Sequence, residues 1–334
     1  MRAAEMFELM HGGPDAQGVV AHDFSTNGNA CGPCPAALEA LQAADASRYP
    51  DPHYLDLRER LAGLHGVEAH RIVIAASASE FIGRVTAAVS QGGGGRVRLP
   101  PHGYGDYARA AKAWHFQPAT ADCAADLVWC CDPGSPLGLP QEDLALRVDR
   151  LGPHATLVLD LAYEPLRLEG ALALDATQRD RVWQLWTPNK ALGLTGVRAA
   201  YAIAPVAAQD LGARLARLAP SWPLGAHGVA LLEAWTGVAA RQWLADSLAT
   251  LRAWKAAQRS VCESLGWRCL PGDANFFCAE PDVALTPARS AALRQAGVKL
   301  RETASFGLPG LVRLGVLPPA SQQALRQAWG AARR

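Results

Sequence analysis

No stretch of this chain is both long enough and free enough of charge to span a bilayer. The first ten residues carry two acidic side chains and no sustained apolar run of the kind a secretory leader needs. Blocks of like charge are also missing, and with a net charge of +1 there is no reason to expect nucleic acid or a membrane surface as partner. A cytoplasmic protein acting on a small molecule is the expectation. Paired metal-knuckle spacing is absent among the eight cysteines, at 31, 34, 123, 130, 131, 262, 269 and 278, so reduced thiols are expected and no metal site.

Two local patterns lack the context that would give them meaning. Cys31-Gly32-Pro33-Cys34 matches a thioredoxin-type redox motif, but the polar loop Thr26 to Asn29 stands where that motif needs a strand. Gly92 to Gly95 could pass for a phosphate loop. It lacks the Lys-Ser/Thr that would complete one and runs into a strand instead of a helix, so a turn is expected.

What is present is a 334-residue chain, half of it apolar, enough for one large domain and a smaller one. From Arg71 onward, short apolar runs (72–74, 97–99, 127–131, 157–161, 182–186, 199–204) alternate with helical patterns, as in an α/β fold with a mostly parallel sheet covered on both faces. After Pro205 the pattern turns helical, with a long run from Val229 to Leu265. A smaller α/β layer follows, in which Arg301 and Arg313 sit at or within apolar strands and need an anionic partner. The expected division is a large domain over 46–228 and a small one built from 1–45 and 229–334.

In such sheets ligands bind beyond the carboxyl ends of the strands. Those ends carry Ala78-Ser79 opening a helix, Tyr104, Asp132 to Ser135, Asp160 to Tyr163, and Thr187-Pro188-Asn189-Lys190. Lys190 has little structural reason to follow an apolar strand, although a surface lysine in a Gly-rich turn would read the same from this segment alone. A lysine amine condenses with aldehydes to a Schiff base, and pyridoxal phosphate is the commonest aldehyde cofactor held in this way. Thr187 and Arg198 flank it with groups suited to phosphate, a helix N-terminus binds phosphate, an aromatic ring stacks on a heterocycle, and a carboxylate pairs with a protonated ring nitrogen.

Taken in order, His11-Gly12-Gly13, Asp23 to Asn27, Arg48-Tyr49-Pro50-Asp51, Asp160 to Tyr163, Thr187 to Arg198, Ala274 to Phe277 and Gly307 to Arg313 resemble the fold-type-I pyridoxal-phosphate enzymes. The similarity covers nearly the whole chain and is to the branch holding histidinol-phosphate aminotransferases and threonine-phosphate decarboxylases. It implies Lys190 as the Schiff-base lysine, Asp160 at the pyridine nitrogen, Tyr163 at the ring hydroxyl and Tyr104 on the ring face. Ala78, Ser79, Thr187 and Arg198 would hold the phosphate, with Tyr49 reaching in from the second subunit of a homodimer. Arg313 would take a substrate carboxylate, with Asn27, His11 and Arg301 as further substrate groups, the last two for a substrate phosphate. The family's usual asparagine at the ring hydroxyl is replaced by Ser135, a shorter group that would reach it only through water. The N-terminal segments look more like the decarboxylases, so decarboxylation of threonine O-3-phosphate in cobalamin biosynthesis is the leading expectation. An aminotransferase acting on histidinol phosphate or another amino acid is the rival, and a catalytically weak binding protein the third reading.

Overall fold

The computed structural model describes residues 12–119 and 124–333, so His11 lies outside the described residues. Its centre is a seven-stranded sheet made of β2 (Ile72–Ala75), β3 (Arg96–Arg98), β4 (Gln117–Pro118), β5 (Leu127–Cys131), β6 (Thr156–Asp160), β7 (Trp183–Trp186) and β8 (Ala200–Ile203). The spatial order is β2-β8-β7-β6-β5-β3-β4, with β4 through β7 parallel and β8 antiparallel to both its neighbours. All of β5 and nearly all of β6 are buried, which is why both read as unbroken apolar runs instead of alternating ones.

Helices α3 (Ala78–Gln91), α4 (Gly105–Ala113) and α7 (Gln209–Leu218) cover one part of this sheet through Phe81, Val85, Ala110 and Leu215, packed on Trp129 and Trp183. Helices α1 (Pro35–Ala43), α2 (Leu55–His65), α8 (Ala226–Thr236) and α9 (Val238–Ser264) cover another through Leu41, Leu61, Leu231 and Leu251. The long helical run expected from 229 to 265 is two helices. Gly237 adopts an extended conformation (φ −71°, ψ 148°) that ends α8 and begins α9. Between β5 and β6 the chain forms the short helix α5 (Leu144–Asp149).

A second layer holds a four-stranded antiparallel sheet in the order β12 (Arg301–Glu302), β13 (Val312–Gly315), β10 (Phe276–Glu280), β9 (Arg268–Cys269). Beside it β1 (His22–Asp23) pairs in parallel with β11 (Val298–Lys299), so the N-terminal segment belongs to this layer. Phe24, Phe277, Leu314 and Trp329 of α11 (Pro319–Ala332) form its core. Arg167 joins the layers. It sits beyond β6 and pairs with Asp132 at 2.7 Å, Glu164 at 2.7 Å and Asp273 at 3.5 Å.

One buried histidine makes stability depend on pH. His65, the last residue of α2, lies 2.7 Å from the Tyr201 hydroxyl, which already accepts from Trp235 Nε1 at 3.1 Å. The phenol oxygen keeps a second lone pair, so it donates to His65 Nε2 or accepts from it according to the imidazole tautomer. Burial first, and Arg179 second, lower the imidazole from 6.5 to about 4. Below pH 6.5 the unfolded chain takes up a proton that folded His65 refuses until about pH 4. Stability present above pH 6.5 is lost across that window, by up to about 3 kcal/mol. Denaturant titrations at pH 7 and pH 4.5 should show a larger loss for the wild type than for His65→Gln; equal losses would count against this assignment.

Candidate active site

Several of the predicted residues lie at or just beyond the carboxyl ends of β5, β6 and β7. Asp160 closes β6, and its side chain is 4 % exposed. It accepts from the Ala162 N–H at 2.9 Å and from the Tyr107 hydroxyl at 2.6 Å. Burial raises its pKa, opposed by Tyr107, the Ala162 amide and, at longer range, Lys190. Lys190 follows β7 in a tight loop, and its Nζ makes no hydrogen bond or ion pair among the described residues; it lies 5.3 Å from the centroid of the Tyr163 ring.

The loop carrying Lys190 is held by the N-terminal segment. Asn29 N–H donates to the Lys190 carbonyl at 2.9 Å, Asn29 Nδ2 to the Ala191 carbonyl at 3.0 Å, and Cys34 N–H to the Leu192 carbonyl at 2.8 Å. Gly193 has φ +68°, and a Cβ there would run into the Gly32 carbonyl oxygen, so this position requires glycine. The Cys31 to Cys34 turn thus packs against the lysine loop. Both thiols are free, Cys34 buried and Cys31 half-buried.

A phosphate-sized anion has a ready cradle. Ser77 caps α3, accepting from Glu80 N–H at 3.1 Å, so the Ala78 and Ser79 N–H groups open the helix without intrahelical acceptors. Thr187 Oγ1 is buried without a hydrogen-bond partner, and Arg198 is exposed. The Tyr104 hydroxyl lies 3.3 Å from Ser79 Oγ, and burial raises its pKa to about 12. An orphaned buried hydroxyl, free helix N–H groups, an unpaired amine and a buried carboxylate with no cation at ion-pair distance together fit pyridoxal phosphate.

On the side of the small sheet, Arg313 is buried without a carboxylate partner among the described residues. Its Nη2 donates to the Ser25 carbonyl at 2.9 Å and its Nη1 to Ser135 Oγ at 3.0 Å. With its amide oriented to satisfy both ends, Asn27 accepts from Tyr163 Oη at 3.3 Å and from Arg313 Nη1 at 3.2 Å, and donates to the Thr26 carbonyl at 3.2 Å. Ser135 therefore bonds Arg313 here. Arg301 is the register partner of Arg313 across β12 and β13, and donates to Ser305 Oγ at 2.8 Å and to the Glu302 carbonyl at 2.6 Å. Both guanidinium carbons lie within 6 Å of the Phe306 ring, at 4.9 Å for Arg301 and 5.9 Å for Arg313. Tyr49 is not at this site in the single chain. It is 78 % exposed and stacks on Trp222, ring centroids 4.5 Å apart.

A family model for aminotransferase class I and II matches residues 21–331. The chain belongs to that family. The histidinol-phosphate aminotransferase of Ruegeria pomeroyi is 30% identical over 334 aligned residues, covering 91% of this chain and 89% of its own. The corresponding protein of a Jannaschia species is 29% identical, covering 89% and 87%. Among solved structures, histidinol-phosphate aminotransferase from Sinorhizobium meliloti in complex with pyridoxal-5'-phosphate has a TM-score of 0.79 at 21% identity, covering 95% of this chain and 92% of its own. L-threonine-O-3-phosphate decarboxylase from Porphyromonas gingivalis has a TM-score of 0.69 at 21% identity, covering 89% and 93%, a likeness of fold alone. The aminotransferase class I and II membership agrees with the α/β expectation and implies pyridoxal 5'-phosphate as cofactor.

Tyr107 and Arg167 were not foreseen as site residues. Tyr107 lies in the first turn of α4, three residues beyond Tyr104, which stands at the N-cap of that helix, and this nearness in sequence is the one sequence pattern that would have suggested it.

Proposed function

We propose that this chain is a pyridoxal-phosphate-dependent aminotransferase acting on histidinol phosphate or a similar phosphorylated amino alcohol. What carries this reading is the Arg301–Arg313 pair. Two guanidinium groups on neighbouring strands converge on one ring, which suits a single dianionic group better than two anions held apart. A phosphorylated amino alcohol has one such group, whereas threonine phosphate has a carboxylate as well. The curated relatives support the same choice, so the aminotransferase takes precedence over the decarboxylase first expected.

The cofactor, when bound, supplies an electron sink for the bond broken beside the substrate amine. Asp160 places a negative charge where the ring nitrogen needs one. Ala78, Ser79, Thr187 and Arg198 would hold the phosphate, and Tyr104 would cover the ring. Tyr163, held by Asn27, would take the ring hydroxyl. Lys190 Nζ, which no hydrogen bond or ion pair among the described residues holds aside, takes and returns the proton at the substrate carbon. Arg313 and Arg301 anchor the substrate's far end, so orientation comes from a group remote from the reacting bond.

Tyr49 would complete the phosphate site only in a C2 dimer, a reading that its exposure in the single chain supports; a monomer that holds cofactor tightly would contradict this. With histidinol phosphate and a 2-oxo acid, the holoenzyme should form the matching new amino acid, read by chromatography. Release of carbon dioxide from threonine phosphate, with no amino transfer, would overturn the assignment.

A further inference from the structure

Asp160 has an unusual problem. A carboxylate 4 % exposed, with no arginine or lysine at ion-pair distance among the described residues, is pushed toward its neutral form by burial, yet a pyridine nitrogen keeps its proton only opposite an anion. The titratable groups facing it are Tyr107 from α4, Cys131 at the end of β5 and Lys190 from the loop after β7. Burial raises the Cys131 thiol, so it adds no charge at neutral pH. Lys190 acts only at a distance and is the group consumed by cofactor binding. Tyr107 remains.

We propose that Tyr107 is a positioning residue for the cofactor: its phenol aims the Asp160 carboxylate and holds it as an anion. The inference rests on the pyridoxal-phosphate reading and goes beyond it. Geometry carries it. The hydroxyl donates to Asp160 Oδ2 at 2.6 Å, short as charge-assisted bonds are, while Oδ1 is taken by the Ala162 amide at 2.9 Å. With both oxygens fixed, the carboxylate plane cannot rotate. The phenol is fixed as well. Tyr107 is 1 % exposed, lies flat against Trp129 (centroids 4.5 Å apart, 13° between planes) and meets Tyr104 edge-on at 5.8 Å. Burial keeps its proton in place, so it can only donate to the carboxylate, and donation favours the ionised form. Tyr104, the N-cap residue of α4, would cover the cofactor ring, so the first turn of α4 and its cap would set both the stacking and the charge.

The test uses holoenzyme reconstituted with pyridoxal phosphate and two readouts besides turnover: the dissociation constant for pyridoxal phosphate, and the pH profile of the Lys190-dependent visible band. Tyr107→Phe removes only the hydroxyl. It should weaken cofactor binding about tenfold and raise the acid limb of the band by about one pH unit, the loss expected for one charge-assisted hydrogen bond. Trp129→Phe, which loosens packing but keeps the phenol, should lower the melting temperature and leave the acid limb in place. An unmoved acid limb and affinity in Tyr107→Phe would overturn the proposal, as would an equal shift in Trp129→Phe. If Tyr107→Phe does not fold, meta-fluorotyrosine at position 107, a stronger donor, should move the limb to lower pH; no movement, or movement upward, overturns it. A wild-type protein showing no Lys190-dependent band would instead fell the cofactor reading itself, and this inference with it.

Discussion

Lys190→Ala should reduce amino transfer by at least about a thousandfold and abolish the visible band of the holoenzyme, while leaving the thermal midpoint of the apoprotein close to wild type. The size follows from what is removed, the group that both tethers the cofactor and moves the proton; general acid–base catalysis alone is worth about 10²- to 10⁴-fold. The small stability cost follows from the surroundings. The Lys190 amine makes no hydrogen bond or ion pair among the described residues, so its loss leaves no buried partner behind. Stopped-flow or coupled assays report the first effect and scanning calorimetry the second. A variant retaining a tenth of the wild-type rate would place the proton-moving group elsewhere, and one that melts far below wild type would show the lysine to be structural.

Asp160→Asn should lower kcat/KM about 10²- to 10³-fold, the range seen when one preorganised electrostatic partner is removed from an active site. The amide keeps the shape of the side chain but carries no charge to hold a proton on the ring nitrogen. The same substitution should raise the stability of the apoprotein or leave it unchanged. The pKa of Asp160 is raised in the fold by burial, so at neutral pH its ionised form opposes folding, and that penalty begins to lift as the pH falls to the folded pKa and is gone only below the unfolded value of 3.8. Opposite signs for activity and apoprotein stability would mark a group kept for chemistry at a cost to the fold. Loss of both together would mean that Asp160 chiefly holds the end of β6 in place.

Much of this was legible because parallel strands are buried on both faces. Their apolar runs stand out, and whatever polar residue ends them stands out too. Asp160 after Leu157–Leu159 and Thr187 to Lys190 after Trp183–Trp186 were conspicuous for that reason. What escaped was contact between distant segments. Tyr107 meets Asp160 across a separation of 53 residues, and periodicity in one helix says nothing about which carboxylate lies opposite. Ser135 was expected to face a cofactor hydroxyl because of its place in a motif. Its bond to Arg313 depends on a strand 178 residues further on. The break between α8 and α9 was missed because a single glycine in a long Ala- and Leu-rich run looks tolerable; Gly237 turns the chain within one residue.

The segment between Phe24 and Cys34 binds the two halves of the site into one cord. Phe24 is bonded to β11 through Lys299 and to β13 of the small sheet through Gly315, Asn27 meets Tyr163 and Arg313, and Asn29 grips the carbonyls of Lys190 and Ala191. Only Gly28 separates the substrate side from the lysine side, and Asn275 Nδ2 pins the carbonyls of both Asn27 and Gly28 at 3.1 Å. The cord has no slack. Adding or removing one residue there would put either the arginine anchor or the lysine out of step with the other, although every strand of the large sheet would be untouched.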